Sequence, residues 1–191
     1  MEVVTISVET EANRGQKLEG EMHVTIADLM QYTEWERGKW IQLFGKTPSA
    51  LGLSVGPNRD DRFNTVGDWV RHIFAAEIRY VERLSGRPLT EIAGMRNDNV
   101  EELFEFGKRT RKELRRFLEN FPDTEWDVPR EMQILNFIVK ATPNKIVVHI
   151  VMHEIRHWAQ IATLLRLSGF RGDFGDDFIV SPVMGGDWRP V

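Results

Sequence analysis

Residues 143–168 read PNKIVVHIVMHEIRHWAQIATLLRLS, and this stretch decides the fold. Thr142 precedes it as a helix cap, Pro143 takes the first helical position, and Gly169 closes it. A single long helix is expected, running to Ser168. Its clearest polar stripe is Lys145, Arg156 and Thr163. At about 100° per residue, His153 and His157 lie one above the other, together with Ile146, Ile150, Ile161 and Leu164. Val147, Val148, Val151, Ile155, Trp158, Ala162 and Leu165 lie opposite. A helix apolar on both sides is central or lies at a subunit interface. One layer of helices does not easily cover both sides, so a homodimer is expected.

Three further helices are expected upstream. Thr25 and Asp28 have capping-box spacing. Ile26, Leu29, Met30, Thr33, Arg37, Trp40, Ile41 and Phe44 then follow helical spacing until Gly45 and Pro48. Thr65 and Asp68 repeat the cap before a stripe of Trp69, His72, Ile73, Ala76, Tyr80 and Leu84. Asn97 or Asp98 is expected to cap the third helix, with Val100, Leu103, Phe104, Gly107, Leu114, Phe117 and Leu118 on its inner face. Lys108, Arg109, Arg111, Lys112, Arg115 and Arg116 alternate with glutamates on its other faces, which reads as a solvated surface.

Between these helices, residues 47–64 are rich in Gly, Pro, Asn and Asp, a loop long enough to cover a site mouth. Residues 123–139 are spaced like short extended pieces, as in a small hairpin or irregular crossover. Residues 2–9 alternate like a short strand, and 10–20 read as a loop. The fold class is therefore all-α: a single four-helix-bundle domain over residues 1–191, with an N-terminal arm at 1–22 and an irregular tail at 170–191. The tail is expected to pack through Phe174, Phe178, Ile179 and Trp188.

Composition narrows the function classes. A net charge of -4 gives no sign of nucleic-acid binding. The absence of cysteine removes disulfides, thiolate ligands and cysteine nucleophiles. No signal peptide or membrane span is visible, so a cytoplasmic location is expected.

The chemistry rests on histidine. Two imidazoles at i and i+4 on one face can grip one ion, and His72, the polar member of its stripe, is the best third ligand. Three imidazoles leave open positions, as in a catalytic site, whereas a fourth protein ligand would make the chain a non-catalytic dimeric bundle with a structural ion. Nickel, zinc and iron all accept this donor set. His149 lies nearer the polar edge and is expected to partner other polar groups. It is too far along the helix to share an ion with His157. His23 reads as a surface histidine. Residues 153–157 also spell H-E-x-x-H, in which the glutamate of zinc hydrolases activates water. No third histidine follows, and nothing recommends Asp173, Asp176 or Asp177 in its place. Glu154 is expected at the surface. Glu154 and Gln160 flank the histidine face and are candidates to orient a bound group. Tyr32, Trp35 and Trp69 are candidates for a pocket wall, with core packing the plainer role.

The run from His149 to Ile161, with Trp69-Val70-Arg71-His72, resembles the DinB-like family of metal-binding four-helix bundles. The last helix of that family carries H-x-x-x-H followed by Arg-Gly-Gln, and its other ligand position matches His72. Trp158 and Ala159 stand here in place of Arg-Gly. The resemblance covers residues 24–169. It implies a divalent-metal site of His72, His153 and His157. It also implies an activity like that of thiol S-transferases, in which a low-molecular-weight thiol or a water meets a small electrophilic substrate. Other members are described as stress- or damage-inducible proteins.

Overall fold

The computed structural model describes residues 23–56, 63–170 and 177–185. Among them are four long helices and a two-stranded antiparallel sheet, consistent with a helical bundle. Helix α1 spans Ile26–Lys46, α2 Val66–Leu84, α3 Val100–Asn120 and α4 Pro143–Leu167. None of them is long and apolar enough to cross a membrane. The N-terminal strand expected at residues 2–9 lies outside the described residues, as do Phe174 and Trp188.

The helix ends follow the local sequence. Both expected capping boxes form: Thr25 with Asp28, and Thr65 with Asp68. Thr142 caps α4, its hydroxyl accepting from the Lys145 amide. At the other end Gly169 adopts φ +81, a conformation that costs glycine little. This lets the Phe170 amide turn back to the Leu165 carbonyl. The third helix departs from expectation: Asn99 caps it, rather than Asn97 or Asp98. Asn97 is engaged elsewhere, its carboxamide donating to the Asp68 carboxylate at 2.7 Å. The chain passes so close here that a Cβ on Gly67 would lie 1.8 Å from the Asn97 carbonyl oxygen.

Contacts between helices set their directions. Phe74 meets Phe104 and Glu77 meets Thr110, so α2 and α3 run the same way. Arg37 meets Glu154 and Trp40 meets Trp158, so α1 and α4 run together. His72 meets His153 while Tyr80 meets His149, so α2 and α4 run opposite ways. Parallel neighbours need a connection as long as a helix. Helix α2 has 19 residues, roughly 28 Å at the α-helical rise, and the segment 85–99 supplies that reach.

The expected crossover is a hairpin. Strand β1, Arg130–Ile134, pairs with β2, Phe137–Ala141, with Met132 opposite Val139. Trp126 packs before it on Phe117 and Phe121. In the tail, Phe178 touches Tyr32 edge-on. Ile179 does not pack as expected and is 86% exposed.

The core has two parts. One holds Trp40, Phe44, Phe74, Phe104, Trp158 and Leu165; the other holds Met30, Val81, Leu114, Ile146 and Val151. On α1, α3 and α4 a buried charged residue lies between them: Arg37, Arg111 and Glu154, with Glu77 of α2 in the same group. Both apolar sides of α4 are covered within one chain. The exposed stripe that remains is Lys145, His149, Met152, Arg156, Ala159 and Thr163. Covering α4 therefore requires no second copy.

Candidate metal centre

His72 sits on the second turn of α2, and His153 and His157 on the middle of α4. The antiparallel crossing of these helices brings the three together. Their ligand atoms all lie within 4.8 Å of one another, and each ring is half-buried. The Nε2 of His153 is 3.1 Å from the Nε2 of His72 and 3.1 Å from that of His157.

Protons alone satisfy this arrangement poorly. A neutral imidazole nitrogen carries either one hydrogen or one lone pair in the ring plane. The Nε2 of His153 faces two partners and can make one such bond. A cation accepts all three lone pairs at once. Metal–imidazole bonds of about 2.0–2.1 Å put ligand nitrogens about 2.8–3.4 Å apart for bond angles between octahedral and tetrahedral. The observed separations of 3.1 Å fall in that range.

Burial favours the neutral form of the two rings on α4. Burial pushes the His153 pKa down to about 3, helped by His157, His72, His149 and Arg156. Burial also lowers His157, opposed by Gln160 and aided by Arg156. Neutral imidazole is the ligating form. Apolar rings wall the cluster: Phe63 lies 4.6 Å from His72 and Trp69 lies 6.0 Å from His157, between ring centroids. Phe63 belongs to the loop expected to cover the site mouth. Tyr32 is buried beside Trp35 and Phe178 instead.

His149 stands outside the trio, as its angular position predicts. Its Nε2 is 3.3 Å from the Tyr80 hydroxyl, and its ring is 5.7 Å from that of His153. His23 is exposed, as expected.

Glu154 overturns its expectation. It is 2% exposed, not a surface residue. Arg37 donates to it twice, from Nε at 2.6 Å and from an Nη at 2.8 Å. Arg111 donates at 2.7 Å and the Trp158 indole at 3.1 Å. Both arginines also bind Glu77, whose other oxygen accepts from the Thr110 hydroxyl. Burial alone would raise the Glu154 carboxyl, but Arg37 and Arg111 outweigh it and hold the pKa below the ordinary range. A carboxylate so engaged is not available as a base for water at the histidines. The H-E-x-x-H reading therefore fails at its glutamate. Arg111 is likewise a correction: it is 4% exposed, within a run expected to be solvated.

Cavity size does not mark the histidines. One cavity of about 370 Å³ lies between α1 and α3, lined by Ile41, Phe104 and Lys112 among others. Another of about 410 Å³ lies beside Phe117 and Phe121. Neither is lined by a histidine, and it is the donor chemistry that singles out the trio.

The model of the DinB family matches residues 22–172, most of the chain. The chain belongs to the DinB family. No curated protein matches it. In this DinB chain the residues missed from sequence are Glu77, Arg111 and Glu154, whose partners come from other helices. Arg37 gave the one available signal, a charged residue inside an apolar stripe.

Proposed function

We propose that this DinB-family protein is a metal-dependent enzyme built as a four-helix bundle. His72, His153 and His157 would hold a divalent ion, with nickel, zinc and iron all compatible with three imidazoles. A low-molecular-weight thiol or a water would attack a small electrophilic substrate there. The ion, when bound, supplies Lewis acidity and lowers the pKa of the attacking group. The attacking sulfur or oxygen would gain the bond to the electrophilic atom and lose its proton to solvent, and the leaving group would depart with its electron pair. The observation that carries this reading is the convergence of three imidazoles from two helices, with the Nε2 of His153 3.1 Å from that of each of the other two. Phe63 packs against His72 and Trp69 against His157, and His149 with Tyr80 borders the cluster one turn away.

The first test is metal content of untagged protein, wild type beside His72→Ala. One equivalent of a transition metal in wild type, lost in the variant, is the expected result. Folded wild type that takes up no metal after loading would refute the reading. Thiol transfer to electrophiles is the activity to screen next.

Self-association is a second, separate proposal. On the hairpin, Leu135, Phe137 and Ile138 are 55%, 68% and 76% exposed. Such an apolar edge suits a second copy of the chain. Sedimentation of wild type and Phe137→Glu is expected to show a dimer and a monomer, respectively; a monomeric wild type would rule it out.

A further inference from the structure

His157 turns one nitrogen, Nε2, to the histidine cluster. Its other nitrogen, Nδ1, is buried and has no hydrogen-bond partner among the described residues. The Oε1 of Gln160 is in the same condition. Gln160 follows His157 by three residues on α4, so the two side chains share one face of the helix. Both atoms are buried on that face, and neither meets hydrogen-bond geometry with any described residue.

Unmatched polar atoms in a protein interior are costly, at about 1–3 kcal/mol each. These two are complementary. An amide oxygen is an acceptor only, and an imidazole nitrogen becomes a donor when it holds the ring's single proton. One proton on Nδ1 therefore satisfies both atoms. The same proton leaves Nε2 bare, with its lone pair directed at His72 and His153. The opposite tautomer would leave both buried atoms unmatched and turn an N–H into the cluster.

We infer that Gln160 is a positioning residue for the metal centre: its Oε1 accepts from His157 Nδ1–H and fixes the tautomer in which Nε2 is the ligand. A partner on the far nitrogen of a ligating histidine also fixes ring orientation and raises ligand basicity. The inference rests on the metal-site reading above.

The experiment is zinc affinity, by competition with a chelator, for wild type, Gln160→Leu and Gln160→Glu. Leucine keeps the bulk and loses the acceptor; glutamate keeps an acceptor. Loss of such a partner typically weakens binding by roughly 10–100-fold. Gln160→Leu is expected to lose that much, and Gln160→Glu to stay within a few-fold of wild type or to bind more tightly. Long-range proton–nitrogen spectra of zinc-loaded wild type are expected to show His157 protonated at Nδ1. Wild-type affinity in Gln160→Leu would overturn the inference and leave the metal site standing. So would an equal loss in both variants, or ligation through Nδ1. Folded wild type that binds no zinc would refute both the site and the inference. Should Gln160→Leu fail to fold, the wild-type spectrum decides.

Discussion

At about 100° per residue, a side chain one step beyond His153 points well away from the face that His153 and His157 share. Glu154 is carried by that rotation into the core. There it meets Arg37 from α1 and Arg111 from α3, with Glu77 from α2 completing the group. Two carboxylates and two guanidinium groups balance in charge. Removing one member of a buried pair leaves the other uncompensated, which costs about 3–5 kcal/mol. Glu154→Ala is therefore expected to lower unfolding free energy by that amount in urea. Glu154→Gln keeps an oxygen for the Trp158 indole and should fall between wild type and Ala. A loss under about 1 kcal/mol, the range of a surface pair, would show that this pairing does not hold the core.

Where helices meet, glycine and caps set the spacing. Gly107 on α3 faces the Phe74 ring of α2, and a Cβ there would come within 2.8 Å of it. Gly107→Ala is expected to destabilise by about 1–3 kcal/mol, the usual cost of overpacking. Gly38 on α1 is the contrast, with nothing within 4 Å of an added Cβ. Gly38→Ala should stabilise by about 0.5–1 kcal/mol through helix propensity. Thermal melts of the two variants are thus expected to shift in opposite directions. The start of α2 depends on Asp68, which binds the Thr65 and Asn64 amides, Asn97 and Arg71. Burial raises its pKa, but the hydrogen bonds from Asn97, Asn64 and Thr65 outweigh this and lower it below the ordinary 3.8. A depressed carboxyl contributes stability that is fully present above the unfolded value. That contribution is lost as pH falls through the lower folded value. Stability in urea between pH 6 and pH 2 should therefore fall more steeply at its acid end in wild type than in Asp68→Asn. Equal slopes would exclude Asp68 as a source of the acid sensitivity.

What could be read from sequence and what could not divides by distance along the chain. Helices α1 to α4 and the threonine caps of α1, α2 and α4 follow from patterns within a few residues and were legible, while the extended spacing at 123–139 left a hairpin and an irregular crossover both open. The pair His153 and His157 is equally local, and His72 stood out as the polar member of an apolar stripe. Asn99 was missed because Asn97, Asp98 and Asn99 are all good caps, and the choice depends on where Asn97 docks on α2. Glu154 and Arg37 are 117 residues apart, so no local pattern reports that they meet. Read singly, Glu154 is a charge assigned to solvent, and Arg37 is a charge in an apolar stripe with no partner in view. The histidines combine both kinds of information, a local pair on α4 and a distant partner on α2, and so bear on stability as well as chemistry. An ion held by both helices binds the folded chain alone, and at 100-fold excess over its dissociation constant it adds about 2.7 kcal/mol. For a chain of this length that corresponds to a rise in melting temperature of about 5–11 °C. Zinc is expected to produce that rise in wild type, and a chelator to reverse it. His72→Ala cuts the link from α2 and should melt at the same temperature with or without zinc. A zinc-dependent rise of equal size in His72→Ala would mean that the ion sits on α4 alone and that the cross-helix site is wrong.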